Sequence, residues 1–192
     1  AVEGSSMYLK AGETLSLQDT LYGLMLASGN DAAVAIAGEC GGMTAFVGKM
    51  NAKAAELGLT DTHFDNPNGL PSDTHYTTAH ELAKITAAAL KDPVFRQIVS
   101  TKSCTVSGHA LSNHNRLLSM YDGAIGVKTG FTRAAGRCLV SAAERNGRTI
   151  IAVTLNDPND WNDHMEMLDA GFAQYSEVTL HKAGDTIANA RV

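Results

Sequence analysis

Arg137-Cys138-Leu139-Val140-Ser141-Ala142-Ala143-Glu144-Arg145-Asn146-Gly147-Arg148-Thr149-Ile150-Ile151-Ala152-Val153-Thr154-Leu155 is the stretch that decides the fold. Asn146-Gly147 takes up left-handed backbone at low cost, which is what a two-residue hairpin turn demands. Arg137 to Arg145 and Arg148 to Leu155 both carry aliphatic runs, so the stretch predicts two antiparallel strands. Upstream, Ala124 to Lys128 reads as a further strand, and Ser100 to Ser107, mixing Thr, Val and Ser, as a half-buried one. Downstream, Trp161, Met165, Leu168 and Phe172 recur at helical spacing and predict a C-terminal helix. Val178 to Val192 reads as a strand leading out of the domain.

The first half of the chain has the other periodicity. Ser16 followed by Asp19 is a capping-box pattern, and Leu17, Leu21, Leu24 and Met25 then mark a helix from Leu17 to Ala27. Ser28-Gly29-Asn30 breaks it, and the Ala-rich run Asp31 to Gly38 predicts a second, largely buried helix. Phe46, Val47, Met50, Ala54 and Leu57 give a third, with Gly58 where a left-handed residue closes a helix. Residues 60–76, centred on Asn66-Pro67-Asn68-Gly69-Leu70-Pro71, show neither period and predict a long turn-rich loop of the kind that lines a site. Thr78 and Glu81 form another capping box, opening a helix that stops by Pro93. Helices followed by strands and a final helix argue for an α+β fold.

Composition narrows the function classes. Among 192 residues, 44% are hydrophobic and 18% charged, enough for one sizeable core. Fifteen Lys and Arg stand against twenty Asp and Glu, a net charge of -5, with no run of like charge, so neither nucleic acid nor an anionic membrane surface is an expected partner. No apolar run approaches the ~20 residues that span a bilayer. No charged and then apolar leader opens the sequence, so a signal peptide is not expected within these residues. Three cysteines without a CxxC spacing read as buried free thiols. Seven histidines invite a metal site, but no pair has the spacing of a zinc helix, and neither metal nor cofactor is expected. No Gly-rich phosphate loop occurs.

Two short strings carry chemistry. Ser28-Gly29-Asn30 reads, taken alone, as a helix cap, with Ser28 accepting from the helix that starts near Asp31. Lys128-Thr129-Gly130, taken alone, reads as a strand entering a turn. Together they match two elements of the serine acyl-transferase set written SxxK, S-x-N and KTG.

At these residues the sequence resembles the low-molecular-mass penicillin-binding proteins, specifically the serine-type D-alanyl-D-alanine carboxypeptidases. The resemblance runs through Leu21-Tyr22-Gly23-Leu24-Met25-Leu26-Ala27-Ser28-Gly29-Asn30-Asp31-Ala32-Ala33, then Asn66 to Pro71 with Tyr76-Thr77-Thr78-Ala79. It continues through Asn113-His114-Asn115-Arg116-Leu117-Leu118 and Gly126-Val127-Lys128-Thr129-Gly130-Phe131-Thr132, with Ala135-Gly136 and Cys138 following. One departure stands out: none of the lysines that could form SxxK follows a serine at that spacing, and Lys182 follows Thr179 on the far side of the chain. The resemblance therefore implies a fragment that begins after the SxxK nucleophile helix. It divides the chain into residues 1–176, a penicillin-binding domain without its N-terminal strands and SxxK helix, and residues 177–192, an exit strand towards a further β domain.

The resemblance implies a β-lactamase/DD-peptidase transpeptidase-like fold, an antiparallel sheet flanked by helices. It implies removal of the terminal D-Ala from peptidoglycan stem peptides through an acyl-enzyme, with sensitivity to β-lactam antibiotics, outside the cytoplasm, secreted or anchored in the bacterial envelope. Ser28, Asn30 and Lys128 take the catalytic places, Ser28 relaying a proton, Asn30 positioning the SxxK lysine and the substrate amide. Lys128, Thr129, Gly130 and Phe131 take the substrate-binding places, with the Phe131 N–H as one oxyanion donor. The chain alone is expected to be inactive, its partner being the N-terminal fragment held noncovalently or a second copy. A non-catalytic peptidoglycan-binding pseudoenzyme is the alternative. A class A β-lactamase, the remaining reading, would carry S-D-N and E-x-x-L-N, neither of which occurs.

Overall fold

The computed structural model describes residues 2–175 together with Val178, Gly184 and Thr186. The exit strand expected over 177–192 lies almost wholly outside the described residues. Among the described residues, seven helices and five strands follow in the order α1 (Leu17–Leu26), α2 (Asn30–Glu39), α3 (Met43–Glu56), α4 (Ala79–Ala89), α5 (Pro93–Ser100), β1 (Ser103–Val106), β2 (His109–Ser112), α6 (Leu117–Met120), β3 (Ala124–Thr132), β4 (Gly136–Arg145), β5 (Arg148–Thr154) and α7 (Asp160–Gln174).

The hairpin is where the sequence put it. Arg145 pairs with Arg148 across Asn146-Gly147, whose φ values of 52° and 76° are the positive pair that the two-residue turn requires. β4 is the middle strand of an antiparallel β3-β4-β5 sheet, and it is covered on both faces. Leu139 and Ala143 pack with Leu117 of α6 and Leu168 of α7, whereas Ala142 packs with Leu90 and Val99 from the helical side. A strand buried on both faces explains why its sequence is nearly continuously apolar. A third cluster joins Tyr22 and Leu26 of α1, Ala32 of α2, Ile98 of α5, Leu111 of β2 and Met7 of the N-terminal segment.

Several expectations are corrected. Pro93 does not only stop α4: Asp92 caps the next helix by accepting from Val94 and Phe95, and Pro93 stands at its first position, where a missing N–H costs nothing. The strand expected over 100–107 is shortened to Ser103–Val106 because α5 claims Ser100, and it turns through Ser107-Gly108 (φ 46° and 82°) into β2. β3 runs on to Thr132, four residues beyond Lys128, because β4 pairs with it throughout. Thr78 caps α4 as expected, but Glu81 does not return the bond. Its buried carboxylate instead accepts from the Thr60 and Asp61 N–H groups and the Thr62 hydroxyl, tying down the long loop. The cysteines are free but half-buried.

Candidate functional site

Ser28 is not a helix cap. Gly29 occupies the N-cap position of α2, and Ser28 itself is left-handed at φ 57°, a conformation that costs a non-glycine residue roughly 1–2 kcal/mol. The sharp reversal directs its hydroxyl away from α2 and towards β3, where Lys128 Nζ donates to Ser28 Oγ at 2.7 Å across a hundred residues of sequence. The same ammonium donates to Thr129 O at 2.7 Å. Three N–H bonds are available to a lysine ammonium, so one remains for a ligand. No carboxylate lies within ion-pair distance of Lys128 among the described residues, and burial pushes its pKa down to about 8. At neutral pH it is still mostly charged, which makes Ser28 Oγ the acceptor and leaves the serine proton with no partner inside the described residues.

Asn30 is the first residue of α2 and is buried. Its backbone N–H donates to Ser5 O at 2.8 Å and its Nδ2 to Glu3 O at 2.6 Å, so the N-terminal segment lies directly against it. Asp31 holds that segment in place, accepting from the Ser6 hydroxyl and from the Met7 and Leu9 N–H groups. Burial works to raise the Asp31 pKa, but these bonds outweigh it and the net shift is downward. Asn30 is thus near Ser28 in sequence, with one of its two side-chain N–H groups committed to Glu3 O.

Thr129, Gly130 and Phe131 continue along β3, an edge strand paired only with β4 among the described residues. Its outer edge offers unpaired backbone groups to an extended chain, the arrangement by which a peptide adds to a sheet. Gly130 pairs with Cys138 on β4, where an added Cβ would make only ordinary contact at 3.9 Å, and Phe131 is 71% exposed. The structure therefore brings Ser28 and Lys128 into contact and sets Thr129 to Phe131 beside them on one strand.

The structure also adds a residue to which no role was assigned from sequence. His114 donates its backbone N–H to Leu26 O at 3.2 Å, which fixes it beside the end of α1. Burial and the nearby Lys128 charge both lower its imidazole pKa, so it is neutral at pH 7. The only signal was its place in the Asn113 to Leu118 string, which carries no spacing or residue pattern that marks a site.

Fold and site together define the class: an α+β domain of the DD-peptidase fold, with a serine and a lysine meeting at the mouth of an edge strand. The chain belongs to the D-alanyl-D-alanine carboxypeptidase family of serine peptidases, S11, whose family model matches residues 1–159. It is 38% identical over 198 residues to D-alanyl-D-alanine carboxypeptidase DacF of Bacillus subtilis, covering 98% of this chain and 51% of that protein. It is 39% identical over 189 residues to D-alanyl-D-alanine carboxypeptidase of Streptomyces sp. K15, covering 88% of this chain and 65% of that one. The chain thus spans about half to two thirds of the length of these relatives. Among solved structures, the Streptomyces K15 DD-transpeptidase superposes with a TM-score of 0.82 at 38% identity, covering 88% of this chain and 72% of that one. D-Alanyl-D-alanine carboxypeptidase from Mycobacterium tuberculosis superposes at 0.84 with 39% identity, covering 90% and 70%.

Proposed function

We propose that the whole protein containing this chain is a penicillin-sensitive serine D-alanyl-D-alanine carboxypeptidase of the bacterial envelope, trimming the terminal D-Ala from peptidoglycan stem peptides. The observation that carries this reading is the 2.7 Å contact between Lys128 Nζ and Ser28 Oγ beside an open strand edge. A Ser-x-x-Lys pair, which these 192 residues do not contain, supplies nucleophile and base from elsewhere in the protein. Its serine oxygen bonds to the carbonyl carbon of the penultimate D-Ala. The C–N bond to the last residue breaks, and the leaving amine takes its proton through Ser28. Water then hydrolyses the ester.

The remaining roles follow from position. The free N–H of the Lys128 ammonium and the Thr129 hydroxyl bind the terminal carboxylate, which makes a free C-terminus a requirement. The substrate lies along the open edge of β3, Gly130 allows its backbone to come close, and the Phe131 N–H donates to the oxyanion. Asn30 orients the SxxK lysine and the substrate amide through Oδ1 and the Nδ2–H that Glu3 O leaves free.

The test is release of D-Ala from a stem pentapeptide by the whole protein. Thr129→Val should raise KM for a peptide with a free terminal carboxylate and leave its amide less affected. Equal effects on acid and amide would remove Thr129 from carboxylate binding, and no D-Ala release by the wild type would sink the reading.

A further inference from the structure

The residues ahead of α1 are folded against the corner that carries Ser28 and Asn30. Met7 is 3% exposed and packs with Tyr22, Leu26 and Ala32, its Sδ occupying the place that a Cβ on Gly23 would need. The carbonyl of the same Gly23 accepts from Gly29 N at 3.1 Å. One glycine of α1 therefore seats both the N-terminal segment and the reversal that turns Ser28 towards Lys128. Asp31 ties the segment from the other side, through the Ser6 hydroxyl and the Met7 and Leu9 N–H groups. With residues 6–9 anchored in this way, residues 3–5 form a short strap whose path runs across Asn30.

The contact is close and polar. Glu3 O accepts from Asn30 Nδ2 at 2.6 Å, and Ser5 O accepts from Asn30 N at 2.8 Å. Between them Gly4, at φ 89°, comes so near that a Cβ on it would lie 2.6 Å from Asn30 Nδ2. Any other residue is disfavoured twice there, by backbone strain and by collision with the amide. The two ends of a carboxamide have nearly the same shape, and only their hydrogen bonds tell them apart. A carbonyl oxygen can only accept, so Glu3 O holds Nδ2 against the strap and keeps Oδ1 off it. Oδ1 accepts from none of the described residues, which leaves it for a donor.

We infer that the strap of residues 3–5, with Gly4 at its point of contact, is a positioning element for Asn30, locking the amide with Oδ1 free for the ammonium of the Ser-x-x-Lys lysine. This rests on the reading of Ser28, Asn30 and Lys128 as part of an acylation site. Gly4 acts through Asn30 alone, and Ser6 and Asp31 act through the strap.

The test is penicillin acylation of the whole protein, followed by intact mass, together with the side-chain amide signals of Asn30 in protein labelled with 15N-asparagine, assigned by their loss in Asn30→Ala. Gly4→Ala should slow acylation roughly tenfold or more, the scale of a small misplacement of a group at the reacting centre, and should move the Asn30 signals. Combined with Asn30→Ala, which removes the amide that the new Cβ strikes, Gly4→Ala should change the remaining rate by less than about twofold. Ser6→Ala loosens the strap without adding an atom. It should slow acylation roughly threefold, again only while Asn30 is present, and it decides the matter should Gly4→Ala not fold. Acylation by both variants at the wild-type rate overturns the inference, and so do Asn30 signals that neither variant moves. An equal loss with and without Asn30 also overturns it, because the strap would then be a general support for the corner. A wild type that takes up no penicillin overturns the acylation-site reading itself, a failure visible before any variant is made.

Discussion

His164 makes acid the most revealing perturbation of the fold. It is fully buried on α7, with Nδ1 2.6 Å from Ser141 Oγ on β4 and Nε2 3.0 Å from Thr154 Oγ1 on β5. A neutral imidazole donates from one nitrogen and accepts at the other, and two hydroxyls can satisfy both. A protonated ring would have to bury its charge, so burial pushes the pKa down to about 4, against a partial upward pull from Asp160, Asp157 and Asp163. The unfolded chain has an ordinary histidine near 6.5 and therefore takes up the proton first. Above that pH the group is neutral in both states and costs nothing. As pH falls from 6.5 towards 4, stability drains away, and the full difference is about 3 kcal/mol, from 1.36 kcal/mol per unit. Urea unfolding of the wild type and of His164→Gln between pH 7.5 and 4 isolates the effect, because the carboxylates titrate alike in both. The stability advantage of the wild type should shrink by about 3 kcal/mol over that range. An advantage constant with pH would mean that His164 is not held neutral in the folded protein.

Three further outcomes are expected. Asp31→Ala strands the Ser6, Met7 and Leu9 donors and should cost about 2–3 kcal/mol in urea unfolding, with amides 5–9 losing protection in hydrogen exchange; unchanged protection would mean that Asp31 does not hold the segment. Gly123→Ala puts a Cβ 2.5 Å from Glu144 O at φ 81°, where neither backbone can give way, and should cost at least ~2 kcal/mol; a neutral thermal melt would contradict this. The lowered pKa of His114 means that it gains charge only as pH falls below the usual histidine range. The Kd of a D-Ala-D-Ala peptide should therefore tighten only as pH falls below that range, and His114→Gln should remove that dependence.

Much of the fold was legible where local chemistry and tertiary need agree. Asn146-Gly147 names its turn without help from the rest of the chain, and Ser16 and Thr78 cap their helices as their patterns promise. Legibility failed where one residue serves two elements. Pro93 ends one helix and starts another, and the sign of the second role, Asp92 immediately before it, was present. Ser107-Gly108 makes the same kind of turn as Asn146-Gly147, but serine rarely takes a positive φ and the strands beside it are only four residues long. Gly130 and the threonines around it dilute the strand signal of β3, whose extension depends on β4 pairing. At the site, the strings around Ser28 and Lys128 were readable, but the hydroxyl direction was not. It depends on the left-handed Ser28 backbone, a property of the packed α1–α2 corner.

The central claim is that Ser28 and Lys128 serve an acylation site. Its most direct test is intact-mass and peptide-map analysis of the whole protein with a penicillin, wild type against Lys128→Ala. One penicillin mass is expected on a serine outside Ala1–Val192, and acylation about 30-fold slower in the variant for a loss of ~2 kcal/mol. A penicillin adduct on Ser28, or an acylation rate unchanged by Lys128→Ala, would contradict it.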